Sequence, residues 1–166
     1  AVTRAEPLAA ALERLVGAPH VHAGERERRF YSHDIARPGA LAALAVSPGT
    51  VEELAGVVAA STAAGLAVYP RGGGTSYTGG YLPENEASVV IDTRRLDRVV
   101  DVNVRDMHVT VESGVTWNAL RLALQPHGVR TPFWGPLSGA VATVGGSLSQ
   151  NAILWGSARH GASAET

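Results

Sequence analysis

At 166 residues the chain suffices for one domain of ordinary size or two small lobes, and it can bury roughly 70% of its unfolded surface. It contains no cysteine and no lysine, so disulfides, thiolate-ligated clusters, thiolate nucleophiles, Schiff-base lysines and phosphate-loop lysines are all excluded from these residues. The net charge is −1 with Arg and acidic residues interspersed, which leaves no electrostatic footprint for nucleic acid.

The Ala- and Leu-rich start is broken by Glu6, Glu13 and Arg14, so it lacks the apolar core of a signal peptide. Leu8, Leu12, Leu15 and Val16 fall on one face at helical spacing, with Thr3 and Glu6 spaced as a capping box and Gly17 as a stop. No apolar run approaches the ~20 residues of a membrane span, and the expected location is the cytoplasm. Residues 18–40 read as an irregular polar connection, in which Glu25, Arg26, Glu27, Arg28 and Arg29 form a solvated charged stretch. His20 and His22 have no further acid or His at ligand spacing, so no metal is expected.

From residue 41 the pattern sharpens. Leu41–Val46 suits a buried strand, and Thr50 with Glu53 opens a helix whose inner side carries Val51, Leu54, Val57 and Val58. Gly65 closes that helix, and Leu66–Tyr69 gives a second strand before Pro70. Val89-Val90-Ile91 is a strand ending at Asp92, Val99–Val104 and His108–Glu112 form a hairpin, and Thr116 to His127 is a helix stopped by Gly128. The remainder is rich in Gly, Ser and Thr. The chain thus divides into an N-terminal helix and connection (1–40) and a body (41–166) of two α+β sets, about 41–95 and about 96–166.

Two stretches carry the chemistry. In Pro70–Gly80, PRGGGTSYTGG, three consecutive glycines cost backbone entropy, and their N–H groups can turn toward one anion as a nest for phosphate oxygens. Thr75 and Ser76 add hydroxyls, and Gly79-Gly80 keeps the far side open. The Rossmann pattern fails because Tyr77 stands where the third Gly belongs, and the kinase-type loop fails for want of Lys. A diphosphate held by backbone amides remains, beside the alternative of a plain surface turn. In the second stretch, about 136–161, small residues dominate, as where main chain lies against a large flat ligand or simply forms a glycine-rich loop. Trp117, Trp134 and Trp155 read as packing residues.

The motifs P-R-G-G-G-T-S-x-x-G-G, V-E-S-G-V-T-W-x-x-L and P-x-S-x-x-x-A-T-V-G-G-x-x-x-x-N-A occur here in that order. Together they resemble the FAD-binding domain of the vanillyl-alcohol oxidase/p-cresol methylhydroxylase superfamily, in the branch of the glycolate oxidase subunit, D-lactate dehydrogenases and alkyl-dihydroxyacetonephosphate synthase. The resemblance covers about residues 40–161. It implies an α+β fold of two lobes gripping FAD, with the second lobe incomplete and the substrate lobe beyond Thr166. It places Arg71, Gly72, Gly73, Gly74, Thr75 and Ser76 at the diphosphate, with Gly79 beside them. Pro136, Ser138, Thr143, Gly145 and Gly146 would line the path from adenosine to flavin, Gln150, Asn151 and Ala152 would sit close to the cofactor, and Gly114 would shape a neighbouring turn.

Members with flavin attached through this loop carry His after the glycines. Thr75 stands there instead, which implies non-covalent FAD at this segment. Arg159-His160-Gly161 departs from the usual R-Y-G, and His160 is a poor candidate base. The implied function is FAD binding in an oxidoreductase that takes hydride from a small substrate, a 2-hydroxy acid, with catalytic residues outside these 166. A non-catalytic flavin module and a UDP-sugar reductase-like use of the fold stay open.

Overall fold

The computed structural model describes residues 2–133 and 138–165. They fall into two compact units, Ala1–Arg95 and Leu96–Thr166, each with its own core.

The first unit is a four-stranded sheet between helices. Helix α1 (Val2–Val16) leads into strand β1 (Val21–His22), helix α2 (Glu25–Tyr31), strand β2 (Leu44–Val46), helix α3 (Val51–Ala63), and strands β3 (Ala67–Arg71) and β4 (Ser88–Asp92). The sheet order is β1-β2-β4-β3; β2 and β3 run parallel to β4, and β1 is antiparallel to β2. Alternation sorts the faces. Leu44, Val46, Val89 and Ile91 join Leu8, Leu12, Val16, Val57 and Leu66 in one cluster, whereas Ala45 and Val90 join Tyr31 in another.

Several expectations need correction here. Residues 18–40 are not an irregular connection: a 3₁₀ turn (Ala18–His20), β1 and α2 occupy much of it. The charges of α2 read as solvated because Arg29 pairs with Glu25 on its outer side, but Arg28 donates to the Ala42 carbonyl and Tyr31 is buried. In α3 the inward face is Leu54, Val57, Ser61 and Ala64, at helical spacing; Val51 and Val58 lie off that stripe and are exposed. Helix α1 begins at Val2, so Thr3 lies inside it, and Leu15 is 41% exposed. Strand β3 runs on through Pro70 to Arg71, which is tolerated because β3 is an edge strand.

The second unit has a hairpin, β5 (Val99–Asn103) and β6 (His108–Val111), with a register shift between Val99 and Asp101. Helix α4 (Trp117–Leu124) packs Trp117, Leu120 and Leu124 against Val115, Phe133, Ala142, Val144 and Leu154. Pro126 ends it, and a 3₁₀ turn (Gln125–His127) completes the segment before Gly128. The Gly-rich remainder holds two short helices, α5 (Val144–Ser149) and α6 (Ser157–His160), for which composition gave no sign. No helix among the described residues is long and apolar enough to cross a membrane.

Candidate functional site

In the first unit the glycine loop leaves the C-terminal end of β3, beside the C-terminal end of β4, where Arg71 is in register with Asp92. Ligands of open parallel sheets gather outside the carboxyl ends of strands. Gly72, Gly73, Gly74, Thr75 and Ser76 are all partly exposed. No hydrogen bond among the described residues engages the N–H groups of Gly73, Gly74 or Thr75. Gly74 has φ +67°, and a Cβ there would lie 2.5 Å from Cζ of Arg71. The left-handed position is therefore Gly74, with Gly73 outside it.

The loop owes its shape to a segment that sequence reading passed over. Asp34, 3% exposed, accepts from the N–H groups of Ala36 (2.7 Å), Arg37 (2.8 Å) and Gly79 (3.0 Å). The Ser76 carbonyl accepts from the Ile35 N–H (3.3 Å) and the Tyr81 hydroxyl (3.3 Å). Ser76 Oγ and Thr78 Oγ1 are 2.9 Å apart. Burial pushes the Asp34 carboxyl up, but the N–H groups of Arg37, Ala36 and Gly79 oppose it and hold the group below the usual carboxylate range.

Arg71 is 4% exposed. Its Cζ lies 5.0 Å from the ring centre of Phe30, 5.6 Å from Tyr31 and 5.5 Å from Tyr81. Its Nε and Nη1 are buried without a hydrogen-bond partner. Asp92, across the register, is engaged elsewhere: Arg94 donates to both its oxygens, and the Tyr31 hydroxyl donates to Oδ2 at 3.2 Å. Burial lowers the pKa of Arg71, with Tyr81 and Asp92 opposing; it also raises Tyr31, reinforced by Asp92. An arginine stays protonated regardless.

In the second unit the small residues are largely spoken for by the protein itself. Thr116 and Thr143 face each other across a β-bridge and cap α4 and α5, accepting from Ala119 (3.1 Å) and Gly146 (3.2 Å). Thr143 is 2% exposed. The N–H groups of Val144 and Gly145 donate to the carbonyls of Val115 (2.8 Å) and Ser113 (3.0 Å), and a Cβ on Gly145 would lie 2.6 Å from Ser113 Cβ. Gly114 is buried and donates to the Leu96 carbonyl at 2.7 Å. Ser138 is exposed, and its carbonyl receives the N–H groups of Val141 and Ala142. Asn151 has φ +46° and accepts from Ala164 at 3.1 Å, Gln150 is exposed, and Ala152 packs against the core. Pro136, like Trp134, lies outside the described residues.

Trp117 packs as expected, its Nε1 donating to Ser147 at 2.8 Å. Trp155 does not; it is 66% exposed. His160 is exposed on α6. No group of acids and histidines able to hold a metal occurs among the described residues.

A D-2-hydroxyglutarate dehydrogenase of Xanthomonas citri pv. viticola is 30% identical over 148 residues, covering 89% of this chain and 31% of that protein. Among solved structures, an alkyldihydroxyacetonephosphate synthase superposes with a TM-score of 0.84 at 22% identity, over 95% of this chain and 34% of that one. p-Cresol methylhydroxylase with substrate bound gives 0.76 at 17% identity, over 91% and 30%. These likenesses bear out the two-lobed α+β fold of the p-cresol methylhydroxylase type. The chain spans about a third of the length of these relatives. The FAD binding domain family matches residues 42–166. On that match the chain belongs to the FAD binding domain family.

Proposed function

We propose that this chain is the FAD-binding part of an oxidoreductase acting on a small 2-hydroxy acid, with FAD held non-covalently. The observation that carries the reading is the set of uncommitted N–H groups at Gly73, Gly74 and Thr75, at the carboxyl edge of the parallel strands with a buried cation beside them. Donors arranged this way fit a diphosphate. Bound FAD supplies a two-electron acceptor; the chain's residues bind and orient it and tune its electrostatics.

Arg71 through Ser76 and Gly79 serve the diphosphate in this reading. Gly114, Pro136, Ser138, Thr143, Gly145, Gly146, Gln150, Asn151 and Ala152 are assigned to the rest of the cofactor. Thr143 and Gly145 serve it indirectly, by fixing the start of α5, since the oxygen of one and the backbone of the other are bonded internally. The 2-hydroxy acid is inferred from the D-2-hydroxyglutarate dehydrogenase likeness. Groups for proton removal and carboxylate binding are assigned to chain outside these 166 residues, because His160 is exposed with no hydrogen bond to another side chain among the described residues.

Acid extraction of the reconstituted protein followed by chromatography tests the cofactor. FAD in the supernatant with a colourless pellet is the expected result; FMN alone, or flavin retained on a peptide, contradicts it. Anaerobic mixing of the full-length gene product with D- and L-2-hydroxy acids tests the substrate, with bleaching of the flavin band as the expected response.

A further inference from the structure

Helix α2 has little of its own to keep it in place. Its seven residues are too few for a stable helix in water, and no side chain caps its first turn. Arg28, which donates to the Ala42 carbonyl, and the buried ring of Tyr31 tie it to the sheet. Further anchorage converges on His22 of β1, whose side chain is 17% exposed.

The His22 ring stacks on Tyr31 with centres 5.0 Å apart. Its Nδ1 lies 3.5 Å from Oε1 of Glu27, and its Nε2 lies 3.4 Å from the Tyr31 hydroxyl and 3.2 Å from that of Ser47. Tyr31 already gives its hydrogen to Asp92 at 3.2 Å. Burial, reinforced by Asp92, raises the Tyr31 pKa, so the phenol keeps that hydrogen. One ring nitrogen of His22 thus faces a carboxylate and the other a phenol oxygen with its hydrogen committed elsewhere; Ser47 can turn either way. A neutral imidazole has one N–H and must set a lone pair against one of these oxygens, whereas an imidazolium donates to both.

We propose that His22 is a proton-operated latch, docking α2 on the sheet while its ring carries both hydrogens and loosening it when one is lost. Glu27 and Tyr31 face it from α2, and Ser47 from the end of β2. Asp92, at the end of β4, stands behind Tyr31. The cations nearby are engaged elsewhere: Arg94 with Asp92, Arg95 with the Ser47 carbonyl, and Arg71 with the aromatic rings. The stability so gained is present in acid and lost as the ring deprotonates, between about pH 5 and 8. Undocking withdraws Phe30 and Tyr31, two of the three rings around Arg71, so the latch reaches the root of the glycine loop whatever that loop binds.

Trypsin reads the docking of α2, because Arg26, Arg28 and Arg29 lie in it and a docked helix resists cleavage. The full-length gene product is digested at steps between about pH 5.5 and 8. The rate of cutting within α2 is divided at each pH by that of a free peptide of residues 23–33. In wild type this ratio is expected to rise about fivefold toward the alkaline end. His22→Gln is expected to give a flat ratio at the high level, and Glu27→Gln to reduce the rise by about half or more. His33→Gln is the control: its Nδ1 lies 3.0 Å from the Arg29 carbonyl, at the other end of α2, and the full rise is expected to remain. A wild-type ratio that stays flat or falls overturns the latch, whether or not any variant folds. A rise that survives in His22→Gln, or disappears in His33→Gln, overturns it as well.

Discussion

The loop at 70–80 and the stretch at 138–161 are alike in composition and opposite in use. In the first, the glycines present main chain outward: the N–H groups of Gly73, Gly74 and Thr75 stay uncommitted, and distant side chains hold the loop from behind. In the second, small residues let main chain approach main chain. Gly145 sits where a Cβ would strike Ser113, and its N–H is bonded to the Ser113 carbonyl. A run of glycines in a sequence thus says that something comes close; whether that is a ligand or the protein itself depends on where the N–H groups end.

The largest test of this contrast is Gly145→Val. Its Cβ would meet Ser113 Cβ, O and Cα at 2.6, 2.7 and 2.9 Å, atoms that include backbone and do not swing aside. A loss of about 3 kcal/mol is expected, read as a lowered midpoint in urea with flavin affinity per folded molecule little changed. Asp34→Ala comes next: it strands three N–H groups, two local and one on the glycine loop, and should cost about 2 kcal/mol. Faster amide exchange at Gly79 would accompany it. A wild-type exchange rate there would show that the loop does not depend on Asp34.

Gly74→Ala sharpens the contrast from the other side. Positive φ costs about 1–2 kcal/mol, and the new methyl meets the buried guanidinium of Arg71, a side chain and not backbone. Stability should fall less than in Gly145→Val while FAD affinity falls more, in paired urea and flavin titrations. If the ranking reverses, the two stretches do not differ as described. Thr143→Ala removes a buried cap and should cost about 1 kcal/mol.

The smallest effect concerns acid. Asp34 is held below the usual carboxylate range, as is Glu112 by its hydrogen bonds with Arg98. A depressed carboxyl stabilises the fold above its unfolded pKa of about 3.9 to 4.3, and that contribution fades as pH falls through the folded value. A shallow loss of stability below about pH 4 is expected, and Asp34→Asn should remove the share that belongs to Asp34.

Much of this was readable in the residues. The strand–helix–strand order, the hairpin and the helix opening at Thr116 each rest on local pattern, and three motifs in register pointed to the cofactor. What escaped is what sequence proximity does not encode. Asp34 acts on Gly79 from 45 positions away, and Phe30 and Tyr31 matter because a strand residue, Arg71, extends one position further than Pro70 suggested. Charged flanks made α2 look like solvent-facing filler, since its buried ring follows the charges directly. Trp155 misled for the converse reason, as a large apolar residue that finds no core.

The reach from Asp34 to Gly79 also bears on the order in which the chain takes shape. Ribosomes deliver roughly 5–20 residues each second, amino end first, so the buttress emerges on the order of a few seconds before the loop it holds. The glycines, which lose the most freedom on being fixed, thus emerge after the segment that holds them and before β4, the strand that joins β2 to β3. Moving residues 1–37 to the carboxyl end by circular permutation would invert that sequence of events. Folding of the loop should then slow, while the finished hydrogen bonds remain the same.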